Sequence, residues 1–119
     1  MSYDCELINP KTKKIEILPF KASFINGNMA VGGSYKAEQN VTYNYSKIFR
    51  KVLPPTGIRT LDGMTANESI NVLNKAISSL NNNISDDYWE ATEGNAKLAL
   101  IQLMEMALLV PKDSVWEIY

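Results

Sequence analysis

Histidine is absent from the chain, and cysteine occurs once, at Cys5. Without imidazole there is no Ser-His or Cys-His pair and no histidine metal ligand, which removes the commonest catalytic architectures. A lone cysteine cannot close an internal disulfide. In an alternating stretch with no basic neighbour to lower its pKa, it reads as a small buried hydrophobe. The first four residues lack the basic and apolar regions of a signal peptide, so the expected location is the cytosol. The Asn-x-Ser/Thr triplets at Asn40, Asn44, Asn67 and Asn83 are then composition rather than glycosylation acceptors. A net charge of −1 provides no overall field to attract a nucleic acid duplex. The longest apolar stretch, residues 96–110, is interrupted by Lys97, Gln102 and Glu105 and is shorter than the ~20 residues of a membrane span.

What is present is ordinary globular material. The 119 residues are 45% hydrophobic and 21% charged, enough for one domain over 1–119 with its own core. Tyr3, Cys5 and Leu7 alternate with polar neighbours as a strand would, and residues 14–18 predict a second strand across a turn at 9–12. Residues 21–25 predict a third, turning at 26–28 into 29–31, with Gly32 and Gly33 marking a bulge or bend. Residues 34–43 are weakly strand-like. The expected fold is α+β: an antiparallel sheet of about four N-terminal strands followed by about three helices.

The first helix is predicted at 44–52, where Tyr45, Ile48, Phe49 and Val52 recur at helical spacing, and it stops at Pro54-Pro55. Thr65 and Glu68 form the capping-box pattern ahead of an apolar stripe of Ile70, Leu73, Ala76, Ile77 and Leu80. The last helix begins after Thr92. Its polar residues Lys97, Gln102 and Glu105 fall within roughly 140° of arc at 3.6 residues per turn, so the helix should be mostly buried or shared with another subunit. Residues 115–119 predict a closing strand or a packed tail.

Three constellations carry candidate chemistry. Residues 27–34 hold glycines five apart, but Gly33 stands where a phosphate-binding loop needs lysine, and a hairpin turn with a bulge explains the glycines better. The carboxylates Asp86, Asp87, Glu90 and Glu93 lack the alternation of a calcium loop and read as helix-capping groups. Residues 43–51 crowd aromatic, amide and basic side chains together, with Arg59 following. Aromatic faces stack on bases, asparagine reads base edges or hydroxyls, and arginine grips phosphate in a fork. Core packing of the rings beside a solvated basic face accounts for the same composition. Residues 88–95 pose a similar choice, with two large aromatics before a helix whose opening turn carries Gly94 and Asn95. A glycine there admits a close approach to the backbone N–H groups.

Residues 40–46 (Asn-Val-Thr-Tyr-Asn-Tyr-Ser), 57–59, 63–65 with 68–70, 85–96 (Ser-Asp-Asp-Tyr-Trp-Glu-Ala-Thr-Glu-Gly-Asn-Ala) and Pro111 followed by 115–117, with Ala30 to Gly33, resemble a family of small uncharacterised accessory proteins encoded by bacteriophages and prophages. The resemblance implies a protein acting in the cytoplasm of an infected bacterial host, where many such proteins blunt immunity. The expectation is therefore a phage counter-defence protein, not an enzyme, that sequesters a nucleotide-derived immune signal without cleaving it. Its expected ligand-binding residues are Tyr43, Asn44, Tyr45, Arg59, Trp89, Thr92 and Asn95, with no metal and no cofactor. The alternative is a protein-interaction module, inhibiting a host defence nuclease or belonging to a virion, that uses the apolar last helix and Trp116 as its contact. A homo-oligomer built through that helix is expected in either case.

Overall fold

The computed structural model describes residues 2–26, 29–87 and 90–119, with backbone alone for 20–26 and 29–34. Its elements run β1 (Ser2–Ile8), β2 (Ile17–Asn26), β3 (Met29–Lys36), β4 (Glu38–Thr42), a 3₁₀ turn at Tyr43–Tyr45, α1 (Ser46–Val52), a second 3₁₀ turn at Gly57–Leu61, α2 (Ala66–Ser78), α3 (Glu93–Leu109) and β5 (Val115–Ile118). The fold is α+β, with four strands ahead of three helices and a fifth strand closing the chain. No helix among the described residues is long and apolar enough to cross a membrane.

The strands divide between two sheets. β1 is central in an antiparallel sheet ordered β4-β1-β5, while β2 and β3 form a separate hairpin. In the three-stranded sheet Cys5 lies opposite both Gln39 and Ile118, Tyr3 opposite Val41, and Leu7 opposite Trp116. All of these point inward and are buried. The other face carries the row Glu38, Glu6 and Glu117, one residue from each strand.

The expected N-terminal hairpin is present but short, held by backbone bonds from the Asn9 N–H to the Lys14 carbonyl at 2.8 Å and from the Glu16 N–H to the Leu7 carbonyl at 2.9 Å. Asn9 Oδ1 accepts from the Lys11 and Thr12 N–H groups at 2.8 and 3.1 Å, but a single bridge, Ile8 to Ile15, follows before the chain leaves the sheet. The two strands expected at 14–18 and 21–25 are one strand, β2. Pro19, which has no N–H to donate, lies between the paired positions Ile17 and Ala22, where the register shifts. The glycine bulge is present: Ala22 pairs with Ser34 and Phe24 with Val31, leaving one extra residue in β3 across Gly32 and Gly33. The turn expected at Gly27 and Asn28 lies outside the described residues.

The helices cover the inner face. α2 opens with the full capping box: Thr65 Oγ1 accepts from the Glu68 N–H, and Glu68 Oε1 accepts from the Thr65 N–H, each at 3.1 Å. α3 is buried along most of its length, as expected, through Ala99, Leu100, Leu103, Met106 and Ala107. Gln102 departs from the expected polar arc. It is buried, and its Oε1 accepts from Gln39 Nε2 at 2.5 Å. Leu108, 59% exposed, and Leu109 end the helix on the surface.

Candidate functional site

The Thr42 hydroxyl accepts from the Asn44 N–H at 3.2 Å and turns the chain out of β4 into the 3₁₀ turn. That turn sets Tyr43 edge-on against Tyr3, with ring centroids 4.5 Å apart. Tyr3 is anchored from below, its hydroxyl 2.6 Å from Ser46 Oγ. From the second 3₁₀ turn, Arg59 brings its guanidinium to 5.3 Å from the Tyr3 ring centroid and one nitrogen to 3.4 Å from the Tyr43 hydroxyl. Two tyrosines and an arginine thus share one surface, an arrangement that offers aromatic faces and a planar cation to an anionic ligand. Arg50 and the lysines Lys47 and Lys51 lie exposed on neighbouring α1. No acidic residue occurs between Gln39 and Leu61, so this stretch carries four positive charges in a chain whose net charge is −1.

The remaining expected site residues are placed differently. Asn44 is exposed beside Tyr43. Tyr45 is fully buried and packs edge-on against Phe49 at 5.8 Å, so it has no surface for a ligand. Thr92 caps α3, its hydroxyl accepting from the Asn95 N–H at 3.1 Å. The Asn95 side chain is 1% exposed and turned toward its own chain. Its Oδ1 accepts from the Ser85 N–H at 3.2 Å, and its Nδ2 donates to the carbonyls of Asp87 and Glu90 at 3.1 and 3.2 Å. Trp89 and its neighbour Tyr88 lie outside the described residues. The interactions around Tyr43 and Arg59 therefore form one cluster, those around Thr92 and Asn95 another, and no described contact joins the two.

Gly94 answers the question its position raised. What approaches the backbone there is the chain itself: the Gly94 N–H donates to the Asn83 carbonyl at 3.1 Å, and a Cβ would collide with that carbonyl. The acidic residues nearby serve the same loop. Glu93 Oε1 accepts from the Asn81 N–H at 3.1 Å, and Glu90 Oε2 accepts from the Ser85 hydroxyl at 2.5 Å.

Two features were not legible as site material. Tyr3 sits in a stretch that reads as plain strand alternation, and only the pairing of β1 with β4 brings it to Tyr43. An open depression of about 500 Å³ runs from Lys13 and Lys14 to Glu6 and Glu117, lined also by Ile17 and Tyr119, and none of the expected site residues borders it. Cys5 is buried, and that burial, with the nearby Asp4 carboxylate, pushes its thiol pKa well up. Compared with known proteins, the chain matches no family model, no curated protein and no solved structure.

Proposed function

We propose that this chain is a non-catalytic binding protein that captures a nucleotide-like, phosphate-bearing molecule on the surface formed by Tyr43, Asn44 and Arg59. In the setting the resemblance implies, that molecule is a nucleotide-derived immune signal in an infected bacterium, held without being cleaved. The observation that carries the reading is Arg59, placed over one tyrosine ring and against the hydroxyl of a second within a stretch of four cations and no anion. A guanidinium presents its donors as a fork matched to phosphate, and an adjacent ring favours a stacked base. Calorimetric titration with cyclic dinucleotides, cyclic trinucleotides and ADP-ribose derivatives tests it. The expected result is saturable binding of one class with the ligand recovered intact, and absence of heat with every class overturns it.

A second reading, a module docking on a host defence nuclease or within a virion, is favoured by the exposed Leu108 and Leu109 at the end of α3. Trp116 does not support it. That side chain is fully buried, and its indole N–H donates to Ser69 Oγ at 2.8 Å. On this reading a stoichiometric partner is retained from host lysate by the native chain and lost with Leu108→Lys.

A further inference from the structure

The contacts around Tyr3 close into a ring that takes in Arg50. Tyr3 meets Arg59 through its ring and Ser46 through its hydroxyl. Arg50 follows Ser46 by four residues on α1, about 6 Å along the axis, so the two share a side of the helix. The Arg50 stem then lies on Gly57, the first residue of the second 3₁₀ turn, where a Cβ would stand 3.3 Å from Arg50 Cγ and 3.3 Å from its backbone nitrogen. Gly57 is buried at φ 75°, and its missing side chain is what admits the stem. Arg59 stands two residues further along the same turn. With 3.80 Å between consecutive Cα atoms, Arg50 Cγ lies within roughly 12 Å of the Arg59 Cα. Neither arginine makes an ion pair among the described residues, and both are exposed. Asp62, the carboxylate nearest Arg59 in the chain, accepts instead from the Ile118 N–H at 3.0 Å.

We infer that Arg50 is a second phosphate-holding residue of the surface proposed above, and that the ligand carries two phosphate groups, one for each arginine. Selection by phosphate count rests on that ligand reading and adds Arg50 to it. Each guanidinium presents a fork that fits one phosphate. The two stems are fixed separately, one by Gly57 and the other by Tyr3 and Tyr43, so the forks meet a ligand from two anchor points. A ligand with one phosphate engages Arg59 and leaves Arg50 to water. A second phosphate gives Arg50 a partner of opposite charge. Two phosphates occur in a cyclic dinucleotide as separate diesters and in ADP-ribose as a pyrophosphate, and the titration below separates these sources.

Calorimetry with AMP, ADP-ribose and cyclic di-AMP decides the matter. All three carry adenine, and the AMP phosphate, with a second pKa near 6, brings its total charge at neutral pH close to the roughly −2 of the others, so the comparison reads phosphate number rather than charge. The native chain is expected to bind one two-phosphate probe at least tenfold tighter than AMP. Arg50→Ala, shown to be folded by circular dichroism, is expected to weaken that probe about tenfold and to leave AMP unchanged. Lys75→Ala removes the same charge from an exposed position on α2 and is expected to alter neither. Binding of AMP as tight as that of both other probes, or a loss in Arg50→Ala matched by Lys75→Ala, would overturn the inference. A two-phosphate probe lost with Arg59→Ala but held normally by Arg50→Ala overturns it alone. Absence of heat with these probes also overturns it, and absence extending to the cyclic trinucleotides removes the ligand reading as well.

Discussion

Gln39 on β4 and Gln102 on α3 meet inside the core, the Nε2 of the first donating to the Oε1 of the second at 2.5 Å. Both are buried, and Gln39 Oε1 has no hydrogen-bond partner among the described residues. Removing one amide strands the other, whereas replacing both removes the need for a bond. Gln102→Leu alone should cost about 1–3 kcal/mol, and the Gln39→Leu/Gln102→Leu pair markedly less than the sum of the single changes. Denaturant melts of the four proteins in this cycle provide the check, and strict additivity would show the pair to be uncoupled.

The start of α3 makes two opposed predictions from adjacent residues. Asn95→Ala removes three hydrogen bonds that hold Ser85, Asp87 and Glu90, which should cost about 2–3 kcal/mol and speed amide exchange at those residues. Gly94→Ala would gain about 1 kcal/mol in an open helix. Here its methyl group meets the Asn83 carbonyl, so a net loss is expected, and a stabilised variant would refute the packing described.

Two glutamates move stability with pH in opposite directions. Hydrogen bonds from the Thr65 N–H and hydroxyl hold the Glu68 carboxyl below its ordinary range, so its contribution is present above the unfolded pKa and is lost as pH falls through the folded one. Glu6 is raised in the folded chain, so its effect is unfavourable at neutral pH and is relieved on acidification. Melting temperatures followed from neutral into acid conditions should show Glu68→Gln less stable at neutral pH. Glu6→Gln should be more stable there, by roughly 0.2–1 kcal/mol and toward the low end because the group is largely solvated.

Cys5 should be inert in the folded protein, since its thiol is both inaccessible and held protonated. A colorimetric thiol reagent should react stoichiometrically only after denaturation. Reaction of the native chain at the denatured rate would contradict its place on the inner sheet face.

For the proposed ligand surface, Arg59→Ala should leave the fold intact, because the side chain is exposed, while weakening binding of the active nucleotide class about tenfold or more. Arg59→Lys should recover only part of that loss, because an ammonium lacks the fork. Calorimetry on the three proteins measures both effects.

Local patterns were sufficient for much of the fold. The Thr65 and Glu68 box, the Thr92 cap, the Gly32-Gly33 bulge and the burial of α3 each depend on residues a few positions apart, whose spacing reports the hydrogen bond or face they form. Asn95 shows where such reading stops. Its residue type fits a binding surface as well as a loop clamp, and only the fold around it shows that its amide faces Ser85, Asp87 and Glu90.

By itself, the order of residues determined the α+β class, the approximate placement of the three helices and the absence of imidazole chemistry, because these follow from composition and short-range spacing; the 3₁₀ turn at Tyr43–Tyr45, where the first helix is expected to begin, did not follow from it. The tertiary structure alone decided that β1 pairs with β4 and β5 rather than with β2, that Tyr3 joins Tyr43 and Arg59, that Gln102 turns inward, and that three glutamates share a row. The physical reason is that strand partners and core neighbours are chosen by burial of whole faces, a competition among segments far apart in the chain that no local period records.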